Sequence, residues 1–168
     1  MTGSVATKLD VVRLSIAHVV DEGAWGGLAT FMVNLLSSQR ADPQFGDIHL
    51  ICDPQNTDPA LLEIAGVHHH AYRSDRRLAK AFETAHAVQA HLHDIRQDVV
   101  TLHSSFPGLW GRFPIHARPW KTVYCAHGWA FEQRVSPLMK WLYARVERWL
   151  SWYTDAIVSM AISGTGIL

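Results

Sequence analysis

The stretch that most constrains the fold is 11–20, VVRLSIAHVV, a nearly continuous apolar run rich in β-branched residues. A strand with one wet face alternates apolar and polar residues, whereas a run of this kind belongs to a strand covered on both faces. Glycines at 23, 26 and 27 follow it, and from Leu28 the apolar positions 28, 31, 32, 35 and 36 keep helical spacing. A buried strand, a tight glycine turn and a helix therefore open the chain.

The same alternation continues. Residues 48–51 predict a second strand, 53–59 are loop by composition, and 61–65 predict a short helix. Residues 67–72 predict a third strand. Positions 78, 82, 85, 88, 92 and 95 then predict a long amphipathic helix with Ser74 as its N-cap. A fourth strand is predicted at 98–102, a short helix at 108–115, a fifth strand at 120–126 and a sixth at 156–158. Between the last two strands, apolar positions 138, 141, 142, 146, 149, 150 and 153 form a wide stripe on one helix. Such alternation implies right-handed βαβ units, hence an α/β fold: a Rossmann-like, doubly wound, mostly parallel sheet of about six strands with helices on both faces. The expected organisation is a disordered or extended terminus at 1–10, one domain at 11–160 and an atypical tail at 161–168, AISGTGIL.

A chain of 168 residues can bury a core without disulfides or metals. Lys plus Arg and Asp plus Glu both number 15, so net charge recommends neither nucleic acid nor an anionic membrane as the main partner. The first ten residues have no apolar signal core, and no run approaches the roughly 18 apolar residues of a spanning helix. A soluble, cytoplasmic protein is expected, with Cys52 and Cys125 as buried thiols.

Three loops are placed to carry chemistry. Gly26 and Gly27 lie between a strand and a helix, where backbone amides approach an anion; they suit a phosphate, or a turn that only permits close packing. His103 and Ser104 follow the fourth strand, and His127 and Gly128 follow the fifth. Imidazole can hydrogen-bond a sugar hydroxyl or shield developing charge, and a neighbouring glycine leaves room for a ligand; either histidine alone also reads as an ordinary loop residue.

Other readings are excluded or weaker. The turn is not G-x-G-x-x-G, which disfavours a nicotinamide cofactor, and no G-x-S-x-G elbow supplies a hydrolase nucleophile. His68, His69 and His70 cannot all converge from one strand, and with no H-E-x-x-H or C-x-x-C the expectation is no metal. His86, His91 and His93 fall on the polar side of the long helix. Arg73, Arg76, Arg77 and Lys80 at its start suit a solvated face or contact with an anion. The stripe on the last helix, flanked by Lys140, Arg145 and Arg148, suits core packing better than a membrane interface, because its width fits a helix lying on a sheet.

The ordered set HVVDEGAWGGLATFMVNLL (18–36), DVVTLHSSFPGLWGR (98–112), VYCAHGWAFE (123–132) and RVERWLSWYTDAIVSM (145–160) resembles the N-terminal domain of family 4 glycosyltransferases of the two-domain GT-B fold. The resemblance implies retaining transfer of a sugar from a nucleotide-sugar donor to a hydroxyl acceptor, in polysaccharide or glycolipid synthesis. It places Gly26 and Gly27 near the donor phosphates, makes His127 the catalytic residue that reaches the donor sugar, and puts His103, Ser104 and Gly128 along the sugar or acceptor cleft. It implies no cofactor and no metal, a glycan or lipid-linked acceptor, and peripheral contact with the inner face of a membrane. The family's C-terminal domain, which holds most donor contacts, is not in these 168 residues, so the chain is expected to be a truncated half, inactive alone, with an exposed cleft edge that suits a homodimer or the missing domain. Two other functions stay open: a stand-alone acceptor-binding or partner module working with a separately encoded donor domain, and a nucleotide-dependent Rossmann oxidoreductase or epimerase.

Overall fold

A computed structural model describes residues 13–21, 27–127 and 135–159. In chain order the elements are β1 (Leu14–Val20), α1 (Gly27–Ala41), β2 (Phe45–Cys52), α2 (Pro59–Leu62), β3 (His68–Ala71), α3 (Ala81–Ile95), β4 (Val99–His103), α4 (Ser105–Arg112), β5 (Lys121–Ala126), α5 (Pro137–Leu150) and β6 (Ala156–Ser159). All neighbouring strands pair in parallel, in the order β3-β2-β1-β4-β5-β6. The predicted doubly wound Rossmann-like sheet is therefore the fold.

Strand register sorts side chains onto two faces. Ala17, Val19, Ile51, Val100, Leu102, Tyr124 and Ala126 pack with Val88 and Leu92 of α3 and Trp110 of α4. Ile16, Val20, Ile48, Leu50 and Cys52 pack with Leu28, Met32 and Leu36 of α1 and Leu61 of α2. The continuous apolar run at the chain's start thus supplies β1 to both layers, as a central strand must.

Helices α2 and α4 begin earlier than predicted, at Pro59 rather than 61 and at Ser105 rather than 108, and two further elements differ from the sequence expectation in kind. Ser74 does not cap the long helix: its N–H donates to Asp53 Oδ2 at 2.8 Å, which ties it to the loop after β2. The helix starts later, after a three-residue 3-10 turn at Leu78–Lys80, and Lys80 occupies its N-cap position without a side-chain cap. The α5 stripe is not core. Leu138 is 72% exposed, Trp141, Leu142 and Trp149 are exposed as well, and Leu150 alone on this helix is buried. The stripe has the amphipathic spacing of a packed helix, but its described contacts are few: Trp149 meets the Phe113 ring edge-on at 6.0 Å, and the face from Leu138 to Leu142 stays exposed. Strand β6, beside it, is an exposed edge. No helix among the described residues is long and apolar enough to cross a membrane.

Close approach of α4 to the sheet requires its glycines. A Cβ at Gly108 would clash with the Tyr124 ring, and one at Gly111 with the Leu102 side chain. The contact is locked by Arg112, fully buried, which donates from Nε to the Gly108 carbonyl at 2.6 Å and from Nη2 to Glu147 Oε2 of α5 at 2.8 Å. Its guanidinium lies 3.8 Å from the Tyr124 ring centroid.

Candidate active site

In this strand order the chain winds in one direction from β1 to β3 and in the other from β4 to β6, so the reversal lies between β1 and β4. Open α/β sheets bind ligands outside the C-terminal ends of the strands at such a reversal. Asp21, His103 and His127 all lie at those ends, and Gly27 opens α1 above them.

A hydrogen-bonded chain of three histidines runs under α1 to this edge. His18 on β1 is bonded through Nε2 to Gln39 Oε1 of α1 at 2.9 Å and through Nδ1 to His103 Nε2 at 3.1 Å. His103 Nδ1 then meets His127 Nε2 at 3.1 Å. Register explains the alignment: His18 on β1 pairs with Thr101 on β4, His103 lies two residues after Thr101 and pairs with Cys125 on β5, and His127 lies two residues after Cys125. A period of two puts them all on the α1 face. Phe31 of α1 closes the cluster, its ring edge-on to His127 at 5.1 Å between centroids.

The donor directions follow from the far end. An amide oxygen only accepts, so His18 Nε2–H donates to Gln39 and leaves His18 Nδ1 as an acceptor. His103 Nε2–H then donates to His18, and His127 Nε2–H donates to His103. The remaining nitrogen, His127 Nδ1, carries a lone pair. All three rings stay neutral: burial lowers the pKa of His18 from 6.5 to about 4, lowers that of His103 well below its ordinary value with help from its two histidine neighbours, and lowers that of His127. Half-buried and at the edge, His127 is thus an oriented neutral acceptor suited to a hydroxyl, not a fixed cation.

Ser104 sits between this chain and α4 in a backbone conformation, φ 73° and ψ 173°, that only glycine adopts freely. Its N–H donates to the Cys125 carbonyl at 3.1 Å and its carbonyl accepts from Gly108 N–H at 2.9 Å, so it makes the sharp turn from β4 into α4 beside β5. On the other side of the edge, Arg76 reaches from the loop before α3 to Asp21, with Nε to Oδ2 at 3.0 Å and Nη2 to the carbonyl at 3.1 Å. Its guanidinium lies 5.0 Å from the Phe106 ring centroid. Arg77 pairs with Asp75 and Lys80 with Glu83. Three of the four basic residues at this helix start therefore have carboxylate partners, and the solvated-face reading describes them better than an anion site.

The structure brings together His103, Ser104, His127 and Gly27 of the predicted site. A Cβ at Gly27 would meet no described atom within 4 Å. Gly26 and Gly128 lie outside the described residues. His68 and His70 share a face with His49, at ring separations of 5.0 and 5.2 Å, while His69 bonds the Leu61 carbonyl on the other side, as strand alternation requires. Sequence reasoning missed His18 and Gln39. Both left a signal: His18 is the polar break in an otherwise apolar strand end, and Gln39 continues the buried helical series Leu28, Met32, Leu36. A separate cavity of about 410 Å³, lined by Arg118, Lys121 and Asp155, lies at the N-terminal ends of β5 and β6, away from this edge.

Solved structures share the fold. A Listeria monocytogenes protein assigned as a UDP-N-acetylglucosamine 2-epimerase aligns over 88% of this chain and 38% of its own, with TM-score 0.60 and 12% identity. Sucrose-phosphate synthase from Thermosynechococcus elongatus aligns over 86% of this chain and 42% of its own, with TM-score 0.56 and 16% identity. MurG from Acinetobacter baumannii aligns over 88% of this chain and 41% of its own, with TM-score 0.50 and 10% identity. The chain therefore spans less than half the length of each. No curated protein matches it in sequence. The family model Glycosyltransferase Family 4 matches residues 25–161, which includes α1, the His103 and His127 loops and α5, and the chain belongs to that family.

Proposed function

We propose that this chain is the acceptor-side domain of a retaining glycosyltransferase that moves a sugar from a nucleotide-sugar donor to a hydroxyl of a glycan or lipid-linked acceptor. The observation that carries this reading is the histidine chain ending on His127 at the strand-order reversal, within a family 4 domain. His127 receives a donor-sugar hydroxyl through its lone-pair nitrogen, Gly26 and Gly27 admit the donor phosphates at the start of α1, Ser104 and Gly128 line the cleft, and His103, expected there too, is buried behind His127 and orients its ring. Charge on the departing diphosphate must be neutralised for transfer. That is the task of a second domain, so these 168 residues alone bind donor weakly and turn over little.

In a protein carrying both domains, His127→Ala lowers turnover at least about tenfold, roughly 1.4 kcal/mol of transition-state stabilisation, with the fold retained. An unchanged rate in a transfer assay removes His127 from the mechanism.

The enzyme acts at the inner face of a membrane, and α5 is the surface that touches it. The exposed Leu138, Trp141, Leu142 and Trp149 give it an apolar face, with Lys140, Arg145 and Arg148 nearby for anionic headgroups. Co-sedimentation with anionic vesicles is expected to fall in a Trp141→Ser, Trp149→Ser variant; undiminished binding rejects this surface.

A further inference from the structure

We propose that His103, Cys125 and His127 form a binding site for a borderline first-row divalent cation, and that Zn²⁺ is the ion their donor set fits best. One ring nitrogen from each histidine and the Cys125 sulfur all lie within 4.8 Å of one another, and this is the group of its kind that the described residues bring together. The grouping is built by the sheet. His103 and Cys125 are register partners on β4 and β5, and His127 follows Cys125 by one strand period on the same face. The facing nitrogens of the two histidines are 3.1 Å apart, close to the separation of about 3.3 Å that tetrahedral Zn–N bonds of about 2.0–2.1 Å imply.

The outer surroundings match as well. Histidines that bind metal donate their other ring N–H to a fixed acceptor, which sets tautomer and ring orientation. His103 does this through Nε2 to His18, and His18 in turn to Gln39, both buried. Two nitrogens and one thiolate suit Zn²⁺ rather than Mg²⁺ or Ca²⁺, which take oxygen ligands. Three protein ligands leave the fourth position for water or a ligand oxygen on the half-exposed side of His127.

The ion takes the place of the proton shared by His103 Nδ1 and His127 Nε2. Cys125 loses its thiol proton to solvent, and the proton on His127 Nε2 is exchanged for one on Nδ1, so one proton leaves per ion bound. Ligation therefore turns His127 Nδ1 from an acceptor into a donor, and it reverses which partner atoms the ring can receive.

The test is titration of the reduced, metal-free 168-residue chain with Co²⁺ as a spectroscopic probe, followed by displacement with Zn²⁺. The expected result is saturation at one equivalent, tetrahedral visible bands and a thiolate-to-cobalt charge-transfer band, all lost when Zn²⁺ is added. Cys125→Ser removes the charge-transfer band and weakens Zn²⁺ at least tenfold, His127→Gln weakens it similarly, and Gln39→Leu weakens it by about tenfold through the outer chain. Cys52→Ser leaves binding unchanged. A cobalt spectrum with no thiolate band overturns the proposal. So does Zn²⁺ affinity that survives both Cys125→Ser and His127→Gln, which would place the ion elsewhere, for example on His49 and His70.

Discussion

Ser104 and His18 show what single residues cost at this edge. A serine at φ 73° and ψ 173° stores about 1–3 kcal/mol that glycine would not. Ser104→Gly is expected to stabilise the domain by about 1 kcal/mol and raise Tm by a few degrees, as read by thermal unfolding; a lower Tm would show that the hydroxyl holds the turn. His18 has a folded pKa of about 4 against an ordinary 6.5, so below pH 6.5 the unfolded chain takes up a proton that the folded chain refuses. Stability therefore rises with pH through this window and is lost as pH falls from 6.5 toward 4, by roughly 3 kcal/mol for His18 alone. His103, lowered for the same reason, acts in the same direction. Urea unfolding across that range checks it, and a flat profile contradicts the buried neutral chain. The sequence exposed His18 and Gln39 as polar breaks in apolar patterns. Their connection to His103, 85 residues away, was not legible, because it depends on strand order and on which of two faces each residue takes.

At the scale of elements, β1, α1, β2, β4, β5 and β6 were legible because each is defined by an apolar run or a helical period, while β3, HHHA, was legible only from the residues that flank it. The start of α3 was not, since Ser74 has the chemistry of an N-cap but a stronger partner in Asp53. Helix α5 was read as core because amphipathic spacing records that a face is apolar, not what covers it. What ties α5 to the rest is the buried Leu150, the Trp149 ring against Phe113 and an ion pair between Arg112 of α4 and Glu147. Arg112→Met alone is expected to cost about 3–5 kcal/mol in chemical denaturation, by leaving the largely buried Glu147 carboxylate unpaired. The double variant Arg112→Met, Glu147→Leu should recover most of that loss. If both variants are equally destabilised, the stacking of the Arg112 guanidinium on the Tyr124 ring matters more than the ion pair.

At the scale of the molecule, the chain is less than half as long as the solved proteins that share its fold, and its chemistry is concentrated on one edge. Two opposite edges offer a ligand different things. The C-terminal edge has the histidine chain, the strained turn and the start of α1; the N-terminal edge has a cavity of about 410 Å³ lined by Arg118, Lys121 and Asp155. The strand-order reversal with oriented neutral donors and acceptors favours the first. The most direct measurement is an NMR titration of the isotopically labelled chain with UDP-, GDP- and ADP-sugars in turn, following backbone amides and imidazole nitrogens. Progressive shifts at Gly27, Ser104 and His127, with Arg118, Lys121 and Asp155 unmoved, are the predicted result. Shifts confined to the cavity at the opposite edge, or none at the histidine edge at saturating donor, would contradict a nucleotide-sugar site built on His127.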